Sequence, residues 1–372
     1  MKKKILHVIG RRPRGGIGTF LINMVKFDDS NFCCHDFLIH AEETKGEFED
    51  NLSNYDSNVS TCPILNLKSL VRIISSVNGF YRNNDYDLIH VHSPVIFILH
   101  YFIAKLHHKN VILGCHSHST KYSDSKLNSI RNWFLHLPIR HLSEVNISCS
   151  RTSGDFLFGK KKFSVINNAI DVQRFRFRED VRKRLRKEYD IDDKFVIGHV
   201  GAFFTVKNQM FILDFFYELS LINSKAVLVL IGDGELENEC KAKAESLDII
   251  DKVYFLGRRN NVEDFFMSFD CFVMPSLFEG VPLVGVEAQA SGLPCVFSDS
   301  ITSDIDMSGR AIFVSLSKGK NYWSRVLNNI NTSSSPSSRE IAFNDIIESG
   351  YDIKSNVSKL IVIYREKLHL NV

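Results

Sequence analysis

Short apolar runs of strand length alternate with longer stretches of helical spacing, and they do so in two consecutive series. The first series comprises Ile5–Ile9, Asp36–Ile39, Leu88–Val91, Val111–Leu113, Val145–Ile147 and Val165–Ile166. The second comprises Val196–Val200, Val227–Ile231, Val253–Leu256, Cys271–Met274 and Pro294–Phe297. Continuous Val/Ile/Leu strands separated by helices mark parallel sheets covered on both faces. The chain length of 372 residues fits two domains of that kind. The break falls near 167–192, where Asn167-Asn168-Ala169-Ile170-Asp171 leads into the charged stretch Arg174–Asp193. The expected layout is therefore an N-terminal domain over 1–170 and a second over 171–352. The segment 353–372 forms a final helix, with helical spacing over Ile353–Leu368, that packs back on the first domain. The Ser/Asn-rich segment Asn331–Ser338 reads as a surface loop.

Composition excludes several function classes. Apolar content of 44% with 24% charge supports packed cores, and a net charge of +3 gives no footing for nucleic-acid binding. The cysteines at 33, 34, 62, 115, 149, 240, 271 and 295 include no Cys-x-x-Cys pair, which favours buried thiols in a reducing compartment. The apolar stretch after Lys2-Lys3-Lys4 is only about five residues, too short for a secretory signal. No run reaches the roughly 18 apolar residues of a membrane span. The expectation is a cytoplasmic protein, at most peripheral to the cytoplasmic face of an inner membrane.

The most informative segment is Met274-Pro275-Ser276-Leu277-Phe278-Glu279-Gly280-Val281-Pro282-Leu283, running on through Glu287 to Gly292 and Pro294. Pro282 suits the first helical turn, Gly292 a helix stop, and Pro294 blocks continuation. The loop Glu279-Gly280-Val281 then lies at the carboxyl end of a buried strand and the amino end of a helix. In open α/β sheets ligands bind there, and free N–H groups with the helix dipole favour a phosphate. Glu279 in the loop and Glu287 in the helix can each accept hydrogen bonds from sugar hydroxyls. Taken alone, the pair also fits a solvated loop acid and a helix-face charge.

This segment resembles the Glu-x7-Glu signature of glycosyltransferase family 4, in the branch that builds bacterial O-antigen, capsule and exopolysaccharide. His7-Val8-Ile9 with Gly15-Gly16-Ile17-Gly18-Thr19 resembles the family's first strand and glycine-rich loop. Asp87–Ser93, His116-Ser117-His118, Asn168-Ala169-Ile170-Asp171, Gly198–Gly201 with Lys207-Asn208, Ile231–Gly234 and Phe255–Gly257 follow in the family's order. The resemblance implies the α/β GT-B fold, two Rossmann-like doubly wound domains facing across a cleft. It also implies retaining transfer of a hexose or N-acetylhexosamine from a nucleotide sugar, UDP-linked by expectation. The acceptor would be a glycan, lipid-linked in this branch.

Residue by residue, the resemblance implies that Glu279 contacts the transferred sugar and Glu287 the donor ribose. The backbone of Gly280, Val281, Pro282 and Leu283 would hold the diphosphate, helped by Lys207 with Asn208 beside it, and Arg258 would lie near the base. His116 would stand at the reaction centre, with His118 a possible partner and Gly15 and Gly16 closing over phosphates or acceptor. The departing phosphate oxygen would take the proton, with no metal or other cofactor. One departure stands out: Ala202 replaces the usual family arginine, leaving Lys207, with Arg258 or Arg259, to stabilise the leaving group.

The remaining signals carry less. The Asp-x-Asp pairs at 85/87, 190/192 and 304/306 read as surface acids rather than metal ligands. His92, His116 and His118 have no carboxylate or cysteine at ligand spacing in the sequence. Lys2–Lys4 with Arg11, Arg12 and Arg14, and a helix over Leu127–Leu142 carrying Trp133 and Phe134, could rest on an anionic bilayer. Competing functions are a GT-B nucleotide-sugar epimerase, a non-catalytic sugar-nucleotide-binding homologue and a two-lobed solute-binding protein.

Overall fold

The computed structural model describes residues 2–13, 15–42, 46–65, 69–118, 126–330 and 336–369. Contacts divide the chain into two compact units, one formed by 1–169 with 353–372 and the other by 170–352. Each is a parallel sheet with helices on both faces.

The first unit holds β1 (Lys3–Ile9), β2 (Cys33–His40), β3 (Val59–Cys62), β4 (Leu88–Val91), β5 (Ile112–Ser117), β6 (Val145–Ser148) and β7 (Ser164–Val165). They are ordered β3-β2-β1-β4-β5-β6-β7. The order reverses between β1 and β4, which is where a doubly wound sheet opens a crevice. One face buries Phe20, Leu21 and Met24 of the helix Gly15–Phe27 together with Val357, Leu360, Ile361 and Tyr364 of the helix Ile353–His369. The other face packs Ile73, Val77, Phe97 and Leu157.

The second unit holds β8 (Phe195–Val200), β9 (Ala226–Ile231), β10 (Val253–Phe255), β11 (Cys271–Met274), β12 (Cys295–Ser298) and β13 (Ala311–Val314), ordered β10-β9-β8-β11-β12-β13. Here the reversal falls between β8 and β11. Ala226–Ile231 is buried along its whole length, as expected of a central strand covered on both sides.

Several expectations change. β3 and β13 were not foreseen, because Val59-Ser60-Thr61-Cys62 is half polar and Ala311–Val314 is only partly buried, both at sheet edges. The helix over 127–142 is broken into Lys126–His136 and Ile139–Leu142 by Pro138, which cannot donate to the helical ladder. Of the predicted loop 331–338, residues 331–335 lie outside the described residues, and Pro336 opens a helix to Glu348. The basic N-terminal cluster is two groups, since β1 separates Lys3 and Lys4 from Arg11 and Arg12 by roughly 20 Å at ~3.3 Å per residue. Arg14 lies outside the described residues.

Helix Leu283–Ala290 ends where Gly292 turns left-handed (φ +72°), and a Cβ there would sit 2.5 Å from Arg339 Cα. Arg339 is buried and donates to the carbonyls of Ser291 and Phe269, so it cannot retreat cheaply. Gly292→Ala is expected to destabilise the second unit by roughly 2–4 kcal/mol, read by urea unfolding; a change under about 0.5 kcal/mol would contradict this account.

Candidate functional site

In the second unit the chain leaves β8 through Gly201–Phe204, makes a tight turn over Thr205–Lys207 and enters the helix Gln209–Ile222 after left-handed Asn208 (φ 60°). Two bonds tie this turn to the loop after β11. Asn208 Nδ2 donates to Pro275 O at 3.1 Å, and Leu277 N donates to Val206 O at 2.8 Å. The tie brings Lys207 Nζ to 2.7 Å from Glu279 Oε1, with both side chains about one-fifth exposed (19% and 21%). The strands feeding these loops are neighbours across the point where the strand order reverses. The ion pair therefore marks the crevice in which an open α/β sheet binds its ligand.

The Leu283–Ala290 helix starts beside that pair. Gly285 and Val286 donate to Pro282 O, which leaves the N–H groups of Leu283 and Val284 ahead of the first intrahelical bond. Pro282 is the N-cap (φ −74°, ψ 123°) rather than part of the first turn. Having no N–H, it contributes no donor of its own to the expected Gly280–Leu283 cradle. A Cβ on Gly280 would meet nothing within 4 Å, so the protein's own packing does not demand glycine there.

Glu287 lies in the first turns of this helix. Burial pushes its carboxyl up to about 7, against the pull of Arg174, while Glu263 adds to the rise. Arg174 is itself held by Glu263 at 2.7 Å. Sequence reasoning saw Arg174 only as part of a charged stretch; on the helix Val172–Phe175 its charge is near enough to favour the ionised form of Glu287. Arg258 and Arg259 are exposed after the edge strand β10, with β9 lying between it and β8. Ala202 carries no cation; its carbonyl accepts from Gln209 Nε2 at 2.9 Å.

In the first unit the crevice between β1 and β4 is a cavity of about 490 Å³. Arg11, Arg12, His92, Ser93, Asn128 and Arg131 are among its lining residues. Gly10 approaches Ser93 so closely that a Cβ would lie 2.8 Å from Ser93 Cβ, and Gly10 N donates to Ser93 Oγ at 2.9 Å. Gly15 and Gly16 do not form a loop over this crevice; they open the helix Gly15–Phe27. Arg12 is engaged by both Glu49 oxygens at 2.6 and 2.7 Å. Arg11 and Arg131, which the sequence offered as residues that could rest on a bilayer, are in the cavity wall.

His116 is buried on β5, and neither ring nitrogen has a hydrogen-bond partner among the described residues. His118 stacks on it with centroids 3.9 Å apart. Burial pushes His118 down to about 4, so both rings are neutral near pH 7. Two of the Asp-x-Asp pairs have structural employment: Asp87 holds Lys3 Nζ at 2.9 Å, and Asp306 accepts from the backbone of Arg310 and Ala311.

Two family models match: Glycosyltransferase Family 4 over residues 14–174 and Glycosyl transferases group 1 over 181–304. EpsF of Bacillus subtilis (strain 168), which is named as a glycosyltransferase, is 30% identical over 98% of this chain and 96% of its own length. The chain belongs to glycosyltransferase family 4. It is an enzyme of the sugar-transferring class. An Escherichia coli relative is 29% identical over 62% of this chain and 63% of its own length. It is named UDP-Gal:alpha-D-GlcNAc-diphosphoundecaprenol alpha-1,3-galactosyltransferase. Among solved structures, Anabaena HepE in complex with UDP matches with a TM-score of 0.78 at 17% identity, covering 98% of this chain and 100% of that one. That likeness establishes the GT-B fold for the family 4 chain. These transferase names give no support to the epimerase reading.

Proposed function

We propose that this family 4 enzyme transfers a hexose or N-acetylhexosamine, with retention, from a UDP-sugar to a lipid-diphosphate-linked glycan in bacterial surface polysaccharide assembly. The observation that carries the donor half is the Lys207–Glu279 pair at the β8/β11 switch point, beside the amino end of the Leu283–Ala290 helix. Breaking a sugar–phosphate bond leaves negative charge on the diphosphate. An ammonium and preorganised N–H groups stabilise that charge without a metal. Glu279 receives sugar hydroxyls and Glu287 the ribose. The UDP in HepE and the UDP-galactose of the Escherichia coli enzyme support the nucleotide assignment.

The acceptor half rests on the first unit. Arg11 and Arg131 in the cavity wall suit an acceptor diphosphate. The helix that supplies Arg131 also exposes Ile130, Trp133 and Phe134. Leu70, Val71 and Ile74, and then Phe102 and Leu106, are exposed on the two helices packed in sequence beside it. Such a surface suits the cytoplasmic leaflet of a bilayer that carries the lipid acceptor. Among the described residues no helix is long and apolar enough to cross a membrane.

Calorimetry with a panel of nucleotide sugars tests the donor assignment. A UDP-sugar is expected to bind at least tenfold tighter than its GDP or ADP counterparts, and preference for another nucleotide would refute it. Sedimentation with anionic liposomes tests the surface. Trp133→Ser/Phe134→Ser is expected to lower the bound fraction several-fold, and no binding even at low salt would refute membrane docking.

A further inference from the structure

Cys33 and His35 alternate with Cys34 along β2, so both face the layer formed by the helices Gly15–Phe27 and Ile353–His369. Asp28 follows directly on the first of these helices, and its N–H donates to Met24 O at 3.1 Å. The three side chains meet as a compact triangle. Asp28 Oδ2 lies 3.0 Å from His35 Nε2 and 3.3 Å from Cys33 Sγ, and Cys33 Sγ lies 3.5 Å from His35 Nε2. The Asp28 and His35 side chains are each 4% exposed, and Cys33 is buried.

Hydrogen bonds alone satisfy two of the three edges. His35 Nε2–H and Cys33 S–H can both donate to the carboxylate, which only accepts. The third edge then presses together two groups whose protons are already committed to Asp28. A cation in the middle satisfies all three edges at once. Tetrahedral zinc takes N and O ligands at about 2.0–2.1 Å and S at about 2.3 Å. Those lengths set edges of about 3.3 Å between N and O and about 3.5 Å from S to either. The triangle matches one face of that tetrahedron to within about 0.3 Å. Charge agrees with geometry. One carboxylate and one thiolate neutralise a divalent ion, so the buried assembly carries no net charge. Asp28 also stands at the negative end of the Gly15–Phe27 helix, where a carboxylate is disfavoured and a cation favoured.

The surroundings orient the ligands. Ser30 donates to the other Asp28 oxygen, Oδ1, from its N–H at 3.0 Å and from its hydroxyl. His35 Nδ1 lies 3.0 Å from His7 Nε2. A ring bound to metal through Nε2 carries its proton on Nδ1 and donates it to such a partner. Asp28 also lines a cavity of about 200 Å³ with Ser30, Val357, Ile361 and Arg365, which gives an entry path and room for a water.

We propose that Asp28 Oδ2, Cys33 Sγ and His35 Nε2 bind one zinc ion, with a water from this cavity as the fourth ligand. The thiol proton of Cys33 leaves to solvent as the sulfur–zinc bond forms. Thiolate, imidazole and carboxylate together suit zinc better than magnesium or calcium, which take oxygen ligands. The ion is structural. Cys33 pairs with Lys3 at the start of β1, six residues or roughly 20 Å from Ile9 in the wall of the 490 Å³ cavity. It therefore takes no part in sugar transfer and clamps the end of the Gly15–Phe27 helix to β2.

The test uses the full-length chain, freed of metal by a chelator under reducing conditions. Cobalt(II) is expected to bind one equivalent and give an intense near-ultraviolet thiolate-to-cobalt band that zinc(II) removes. Cys33→Ser should abolish the band. Cys34→Ser, which deletes the neighbouring thiol on the other face of β2, should keep it. Zinc at 100-fold its dissociation constant should raise the wild-type melting temperature by roughly 5–10 °C, and that of Cys33→Ser by less than about 1 °C. A wild-type chain without a thiolate band overturns the site, and if Cys33→Ser does not fold, that measurement decides alone. A band kept by Cys33→Ser or lost in Cys34→Ser overturns it too. So does cobalt bound through imidazoles only, which would put the ion among His90, His92, His116 and His118 instead.

Discussion

Lys207→Ala is expected to lower kcat for sugar transfer by about 10²–10³-fold, the usual cost of removing one preorganised stabiliser of a developing oxyanion. With Ala202 in the position of the family arginine, Lys207 carries that role without a second cation from the β8 loop. Its present partner does not hold it strongly. The Lys207–Glu279 pair is partly exposed, and pairs of that kind contribute about 0–1 kcal/mol. The ammonium can therefore exchange Glu279 for a diphosphate at little cost. Stability should change by less than about 1 kcal/mol, since the Asn208–Pro275 and Leu277–Val206 bonds that join the two loops are untouched. Lys207→Arg, which restores the charge in a different shape, should recover part of the rate. Single-turnover transfer with saturating UDP-sugar measures this. A Lys207→Ala rate within threefold of wild type would mean that the leaving group is stabilised elsewhere.

Glu287→Gln should stabilise the second unit and weaken donor binding at the same time. Burial raises the Glu287 carboxyl from 4.5 to about 7. A raised folded-state value means that its stability contribution is fully present below about pH 4.5 and is lost as pH rises through about 7. The charged form then costs the fold up to about 3 kcal/mol at pH 8–9. The glutamine variant avoids that cost. Its stability relative to wild type should therefore increase between pH 4 and pH 8, by several degrees of melting temperature. Meanwhile, loss of a charged acceptor for ribose hydroxyls should weaken UDP-sugar affinity about 10-fold or more at pH 8. Melting curves at pH 4.5, 6 and 8 with parallel calorimetry check both. A stability difference independent of pH would show that the carboxyl titrates normally.

The alternation of apolar runs with helical stretches is a local signal, and it located the central strands of both sheets and the strand-loop-helix segment around Glu279. Central strands are legible because both faces are buried, so the code is uninterrupted hydrophobicity. Edge strands such as β3 and β13 lack that requirement and passed unseen. Proline chemistry is local too: the break at Pro138 follows from its missing N–H, which apolar spacing alone passes over, and Pro282 is an N-cap rather than a first-turn residue.

By itself the sequence determined the two-sheet α/β architecture and, through the Glu279…Glu287 spacing, pointed to the strand–loop–helix element that we propose meets a sugar nucleotide. Strand order was a tertiary decision. Lys207 and Glu279 meet because β8 and β11 are neighbours, and nothing in the linear spacing of those strands requires it. Strand order likewise lines up His35, His7, His92 and His118 from strands far apart in sequence and brings Asp28 to the end of the row. Hydrogen bonds and ion pairs act over about 3 Å, so their partners are set by which backbone segments the sheet holds side by side. Hydrophobic periodicity states only which face of each segment is buried.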